Sequence, residues 1–247
     1  MEDYGLGLAL FDYLPVLLSA AGLYLLADLL TRALPASRAL LLLGFALVIA
    51  GGLSKATWKL IWVLGQVNLV VLDSLLFVCM APGMVLLALH TAAAASRWRG
   101  GTGTARPGRN SLVVILPVLV AAAGLAAGQP GGRAWFFLLL ATSSLSNIVM
   151  TALLMRLSWG WEQRLTAGIF LASMMLTLSL SWLARTSAGS LPLQWLAESV
   201  NLFATGAFAL AVWRLRSHYL QGESRGTGAA SRCAAPGRRA SPAEARS

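Results

Sequence analysis

Charge is scarce in this sequence. Only 11% of the residues are Asp, Glu, Lys or Arg, against about 25% in an ordinary soluble domain, which argues against a fully solvated fold. Histidine occurs twice, at His90 and His218, too few for a His-rich zinc site or a bis-histidine haem site inside a membrane. Cysteine also occurs twice. Cys79 lies in an apolar run and Cys233 in a polar tail, positions that do not suit a mutual disulfide. Gly-x-Ser-x-Gly, His-Glu-x-x-His and phosphate-loop motifs are all missing, so no catalytic residue, metal or cofactor is assigned. Carboxylate-only chemistry through Asp73 and Glu198 is the one enzymatic reading left. Glu2 and Asp3, with no base before the first apolar run, lack the basic start of a cleavable signal peptide, so the first helix is expected to stay in the mature protein.

What the chain has in quantity is hydrophobic side chains, 57% of 247 residues. A helix needs about 20 apolar residues to cross the hydrocarbon of a bilayer, and seven candidate spans meet this, at 8–30, 39–62, 69–92, 111–128, 134–155, 165–184 and 193–213. The expectation is an all-α integral membrane protein. Residues 1–221 form one domain, a seven-transmembrane-helix bundle, and residues 222–247 a disordered cytoplasmic tail with almost no large apolar side chain.

The net charge of +10 follows topology rather than a nucleic-acid partner. Arg32, Arg38, Arg97, Arg99, Arg106, Arg109, Arg156 and Arg164 fall in alternate connections, and Arg214, Arg216 and the tail arginines follow the last span. They outnumber Lys55, Lys59, Arg133 and Arg185 on the opposite side. The positive-inside rule then puts the N-terminus outside and the C-terminus in the cytoplasm, in a bacterial inner membrane or a plasma membrane. Trp58, Trp62, Trp135, Trp182 and Trp195 fall near the outer span ends, and Trp98, Trp159, Trp161 and Trp213 near the inner ones, as headgroup-seeking indoles should. The bilayer is the one partner these features require; oligomeric state is not legible.

Setting Arg38 against Arg164 without gaps brings Lys59 onto Arg185 and Asp73 onto Ser199, beside Glu198. Spans one to three and five to seven would then be two parallel triplets joined by span four, a 3+1+3 repeat. Chance agreement is the alternative, since few residues match.

Charges inside spans are costly and mark candidate sites. Counting about 1.5 Å per residue from Ala39 places Lys59 at the outer boundary, where it can snorkel, and Lys55 about 6 Å deeper. Asp12, Asp73, Arg185 and Glu198 lie at similar depth. Asp12, Lys55, Lys59, Asp73, Arg185 and Glu198 sum to zero charge, and they either cluster around an outward-facing cavity or remain separate interfacial charges. Asn201 shares a helix face with Glu198 and extends that cluster inward. Ser143 and Asn147, with Ser144 and Ser146, offer mid-membrane polar contacts or a helix-packing surface. Asp28 and Arg32 are spaced for an ion pair at the inner end of span one. His90 is expected at the cytoplasmic interface, and Pro82-Gly83 at a kink in span three.

Residues 193–213 hold no lysine and the chain has no Pro-Gln pair, which excludes retinal Schiff-base chemistry and the PQ-loop signature. Two readings remain. One is a small transporter whose ion or small-molecule substrate enters the outer cavity, with Lys55 recognising an anionic group. The other is a non-catalytic sensor or assembly subunit that binds a ligand or protein partner there.

Overall fold

The computed structural model describes residues 5–65, 67–100, 107–128, 132–186 and 191–233, with backbone alone at 107–109, 181–182, 184–186 and 223–233. Every regular element among them is helical. In chain order these are α1 (Leu6–Phe11), α2 (Tyr13–Ala33), a 3-10 turn (Pro35–Ser37), α3 (Arg38–Gly65), α4 (Val70–Trp98), α5 (Pro107–Gly128), α6 (Ala134–Gly160), α7 (Arg164–Thr186) and α8 (Leu191–Cys233). Six stretches are long and apolar enough to cross a bilayer, with α1 and α2 counted together, and α7 adds a shorter apolar stretch over Arg164–Leu180. The protein is thus a polytopic helical membrane bundle, each long apolar helix satisfying its own backbone groups inside hydrocarbon.

The helices are longer than the expected spans. α3 continues to Gly65, α4 to Trp98, and α8 to Cys233, past Gly222 where the polar tail was expected to begin. Two side chains in these helices are more buried than their place in the sequence suggests. Lys59 lies six residues inside the end of α3 and is only 6% exposed, so it does not snorkel to the surface. His90 is fully buried among the helices, with Nδ1 against the Leu86 carbonyl at 2.7 Å.

Neighbour relations describe a ring. α2 packs on α3, α3 on α4, α4 on α6, α6 on α7, α7 on α8, and α8 back on α2. α5 stands outside this ring against α4 and α6, and Leu112, Val113, Leu116 and Val120 on it are exposed, as lipid-facing side chains should be.

Lipid tails are as apolar as leucine, so helices in a bilayer associate by close fit rather than by hydrophobic exclusion. Small residues provide that fit here. A Cβ on Gly51 would lie 2.6 Å from the Leu76 carbonyl oxygen, and one on Gly83 would lie 2.8 Å from that of Gly44. α3 and α4 therefore touch backbone to backbone. Helix α4 is continuous through Pro82, and the neighbouring Gly83 serves this contact. Gly22 does the same for α2 on α8, where a Cβ would meet Ala209 Cα at 3.0 Å.

The two ends of the ring differ. In the half holding the C-terminal end of α2 and the N-terminal end of α3, an apolar cluster fills the centre, including Leu26, Leu30, Leu41, Leu87, Leu154, Phe170 and Leu215. The same end is tied laterally. Arg216 Nε donates to Asp28 Oδ2 at 2.8 Å, joining α8 to α2, and Arg32 Nε reaches the same oxygen at 3.4 Å. The Asp28–Arg32 pair expected from spacing thus forms, with Arg216 as the closer partner. Arg97 donates to the Ala33 carbonyl at 2.8 Å, and Trp98 packs on Trp161 and Tyr219. The opposite half contains a cavity.

Candidate functional site

Proline creates the first feature of the site. Pro15 has no N–H to give to the Phe11 carbonyl, and a proline ring crowds the carbonyl four residues back. The hydrogen-bond ladder is interrupted accordingly between α1 and α2 at Asp12, whose backbone stays right-handed helical with φ −59° and ψ −22°. Its side chain is buried, 7% exposed, and turns toward α3.

Lys59 answers it. The Lys59 ammonium contacts Asp12 Oδ2 and donates to Glu198 Oε1 at 2.8 Å, with Glu198 in the second turn of α8. Three separate segments of chain are thereby joined by one buried cation. Burying ions without partners costs several kcal/mol each, so the three side chains depend on one another. Two carboxylates share this ammonium, and Asp12 Oδ1 is buried without a hydrogen-bond partner among the described residues. Tyr13 supports the junction through a 3.2 Å hydroxyl contact to Thr57 on α3.

Below this triad lies a cavity of about 450 Å³, within the range of small-molecule pockets. All six ring helices line it, and no described residue of α5 does. Lys55 is one helical turn, about 6 Å, deeper than Lys59. It is half-buried, lines the cavity, and makes no hydrogen bond or ion pair with a described residue. The like charge of Lys59 and the carboxylates of Asp73, Glu198 and Asp12 are all close enough to act on it.

Further in, the polar lining consists of Asn147, Ser173, Thr177, Asn201 and Thr205. The hydroxyl protons are already committed: Ser173 to the Ala204 carbonyl at 2.8 Å, Thr177 to that of Ser173 at 2.9 Å, and Thr205 to that of Asn201 at 2.9 Å. Their lone pairs and the two asparagine amides are what a solute would meet. Leu23, Val48, Met84, Met150 and Phe208 form the floor and also belong to the apolar cluster that closes the other half of the ring.

The residues anticipated from sequence divide into three groups. Asp12, Lys59 and Glu198 come together directly, and Lys55, Asn147 and Asn201 line the same cavity. Asp73 sits in the first turn of α4, and Ser143 is buried in α6, both outside the lining. The Arg185 side chain falls outside the described residues. Ser19, Ser173, Thr177 and Thr205 join the lining without having stood out in the sequence. A signal existed for Thr205, since Glu198, Asn201 and Thr205 follow the i, i+3, i+7 spacing of one helix face. Among the described residues, no three His, Cys, Asp or Glu side chains come together as a metal would require.

Comparison with protein-family models, with curated proteins and with solved structures gives no match for this chain.

Proposed function

We propose that the protein is a small transporter whose solute occupies the cavity inside the six-helix ring. The observation that carries this is the asymmetry along the ring axis. A polar chamber occupies one half, with the Asp12–Lys59–Glu198 contacts in its wall, while a deep apolar plug closes the other. Alternating access needs one thin and one thick barrier around a site near mid-membrane. In this reading Lys55 binds an anionic group of the solute, and Asp12, Lys59 and Glu198 form the thin gate. Asp73 is a peripheral charge on the approach.

The finer architecture belongs to the same proposal. In it the chain crosses seven times, with the triad at the outer face, the Asp28–Arg216 pair at the cytoplasmic face and the polar tail beyond it. A 3+1+3 repeat is supported by neighbour order, since two parallel triplets would run around the ring as α2, α3, α4, α6, α7, α8. One sequence offset, one position shorter than the Arg38–Arg164 alignment, pairs lining residues Val48 with Ser173, Gly52 with Thr177, Lys55 with Leu180, Leu76 with Asn201 and Met80 with Thr205.

Flux tests the proposal. Purified protein in proteoliposomes is assayed with labelled carboxylates, amino acids and phosphate esters. At least one should show saturable uptake that Lys55→Gln reduces by about tenfold or more, the loss expected for one charge-assisted hydrogen bond. Saturable binding without flux would instead assign the cavity to a sensor or assembly subunit.

A further inference from the structure

Charge bookkeeping inside the cavity narrows the solute. Among its described lining residues Asp12 and Glu198 are acidic and Lys55 and Lys59 are basic, so the lining sums to zero. A net-charged solute would bring an unbalanced charge into a low-dielectric interior, which is expensive. A solute bearing both signs would not. Two lining groups are also left with capacity, and their signs are opposite. Lys55 has three N–H donors and no ion pair with a described residue. Asp12 Oδ1 is a buried acceptor without a hydrogen-bond partner among the described residues. Lys59 joins them geometrically, because it contacts Asp12 and stands one turn from Lys55 on the same face of α3. The remaining volume is of a third kind. Met80, Met84, Met150, Leu23 and Phe208 line the inner part of the chamber, and unbranched methionines adapt to apolar groups of varied shape.

We propose that the cavity binds a small zwitterion carrying an apolar side chain, an aliphatic or aromatic α-amino acid or a close analogue. Its carboxylate accepts hydrogen bonds from Lys55, its ammonium sits at the Asp12 and Glu198 carboxylates, where a small side-chain movement uncovers the buried Asp12 Oδ1, and its side chain points to the methionine-lined floor. Asn201 and Asn147 stand beside the path between the two ends. This rests on the cavity being a solute site, and it adds the solute's chemistry to that reading.

Thermal unfolding of the full-length protein in detergent separates the two claims. The probes are leucine, methionine and phenylalanine, each also as the N-acetyl derivative, which lacks the ammonium, and as the amide, which lacks the carboxylate. Aspartate, lysine and inorganic phosphate complete the set. The proposal expects a saturable rise in Tm with the free amino acids and at least a tenfold weaker apparent affinity for both blocked forms. Lys55→Gln should abolish discrimination against the amide while leaving discrimination against the N-acetyl form, a pattern that loss of folding cannot imitate. Equal stabilisation by N-acetyl and free amino acids, or by phosphate, overturns the zwitterion and leaves a solute cavity for anions. If no probe in the set shifts Tm while the wild-type protein unfolds cooperatively, the zwitterion proposal fails; the flux assay then decides separately whether another solute is carried.

Discussion

At the residue scale, the two lysines of α3 differ by one helical turn and have different duties. Depth counted along the sequence makes Lys59 the surface residue and Lys55 the one in need of a carboxylate, because a span of about 20 residues from Ala39 ends near Lys59. Helix α3 continues to Gly65, and the roles are reversed: Lys59 holds Asp12 and Glu198, while Lys55 has no ion pair with a described residue. Removing the cation from a buried set leaves uncompensated charge and costs about 3–5 kcal/mol. Lys59→Met should therefore lower the thermal midpoint markedly. Lys55→Met should lower it less, since no ion pair with a described residue is broken, although the lining is left with one excess negative charge. Tryptophan-fluorescence melts of the two variants in the same detergent check this, and equal losses would refute the division of roles. The identities of the cluster's members are legible from position alone. Their pairing is not, because an error of one turn in a helix boundary moves a side chain by about 5 Å, more than an ion pair tolerates.

At the element scale, the glycines carry the information that hydropathy lacks. Hydropathy marks the spans without saying which of them meet, yet α3 meets α4 through Gly44, Gly51 and Gly83, while a Cβ added to Gly124 of α5 would meet nothing within 4 Å. Gly51→Ala would put a methyl group 2.6 Å from the Leu76 carbonyl oxygen, so the helices must separate and the variant should be destabilised. Gly124→Ala has open space and should gain up to about 1 kcal/mol from helix propensity. Comparing the two melts tests whether close α3–α4 contact sustains the ring. Helix existence is readable throughout from runs of apolar residues. The interruption at Asp12 is also signalled, by Pro15 three residues on, although hydropathy alone gives an unbroken first span from 8 to 30. The backbone at Asp12 remains right-handed helical (φ −59°, ψ −22°), so the first span persists, and the Asp12–Lys59 contact depends on which helix face meets α3, which hydropathy does not record.

At the scale of the whole molecule, a ring of six helices encloses a chamber in one half and an apolar core in the other, with α5 outside. Charge asymmetry and tryptophan placement indicate a membrane bundle from sequence, but they carry no information about which helices are neighbours across the ring. Ser173 and Thr177 illustrate the gap: each is an ordinary polar residue in an apolar helix until α7 is set against α8, where Ser173 bonds the Ala204 carbonyl at 2.8 Å. In the proposed function this chamber is a solute cavity reached from the side on which the N-terminus lies. Asn201 lines the chamber below Glu198 and serves as the reporter. With Cys79 and Cys233 replaced by serine, Asn201→Cys is exposed to a small membrane-impermeant thiol reagent in vesicles of each orientation. Alkylation from the N-terminal face alone, slowed by saturating leucine, is the predicted result. A thiol unreactive from both faces, or reactive only from the C-terminal face, would contradict the account.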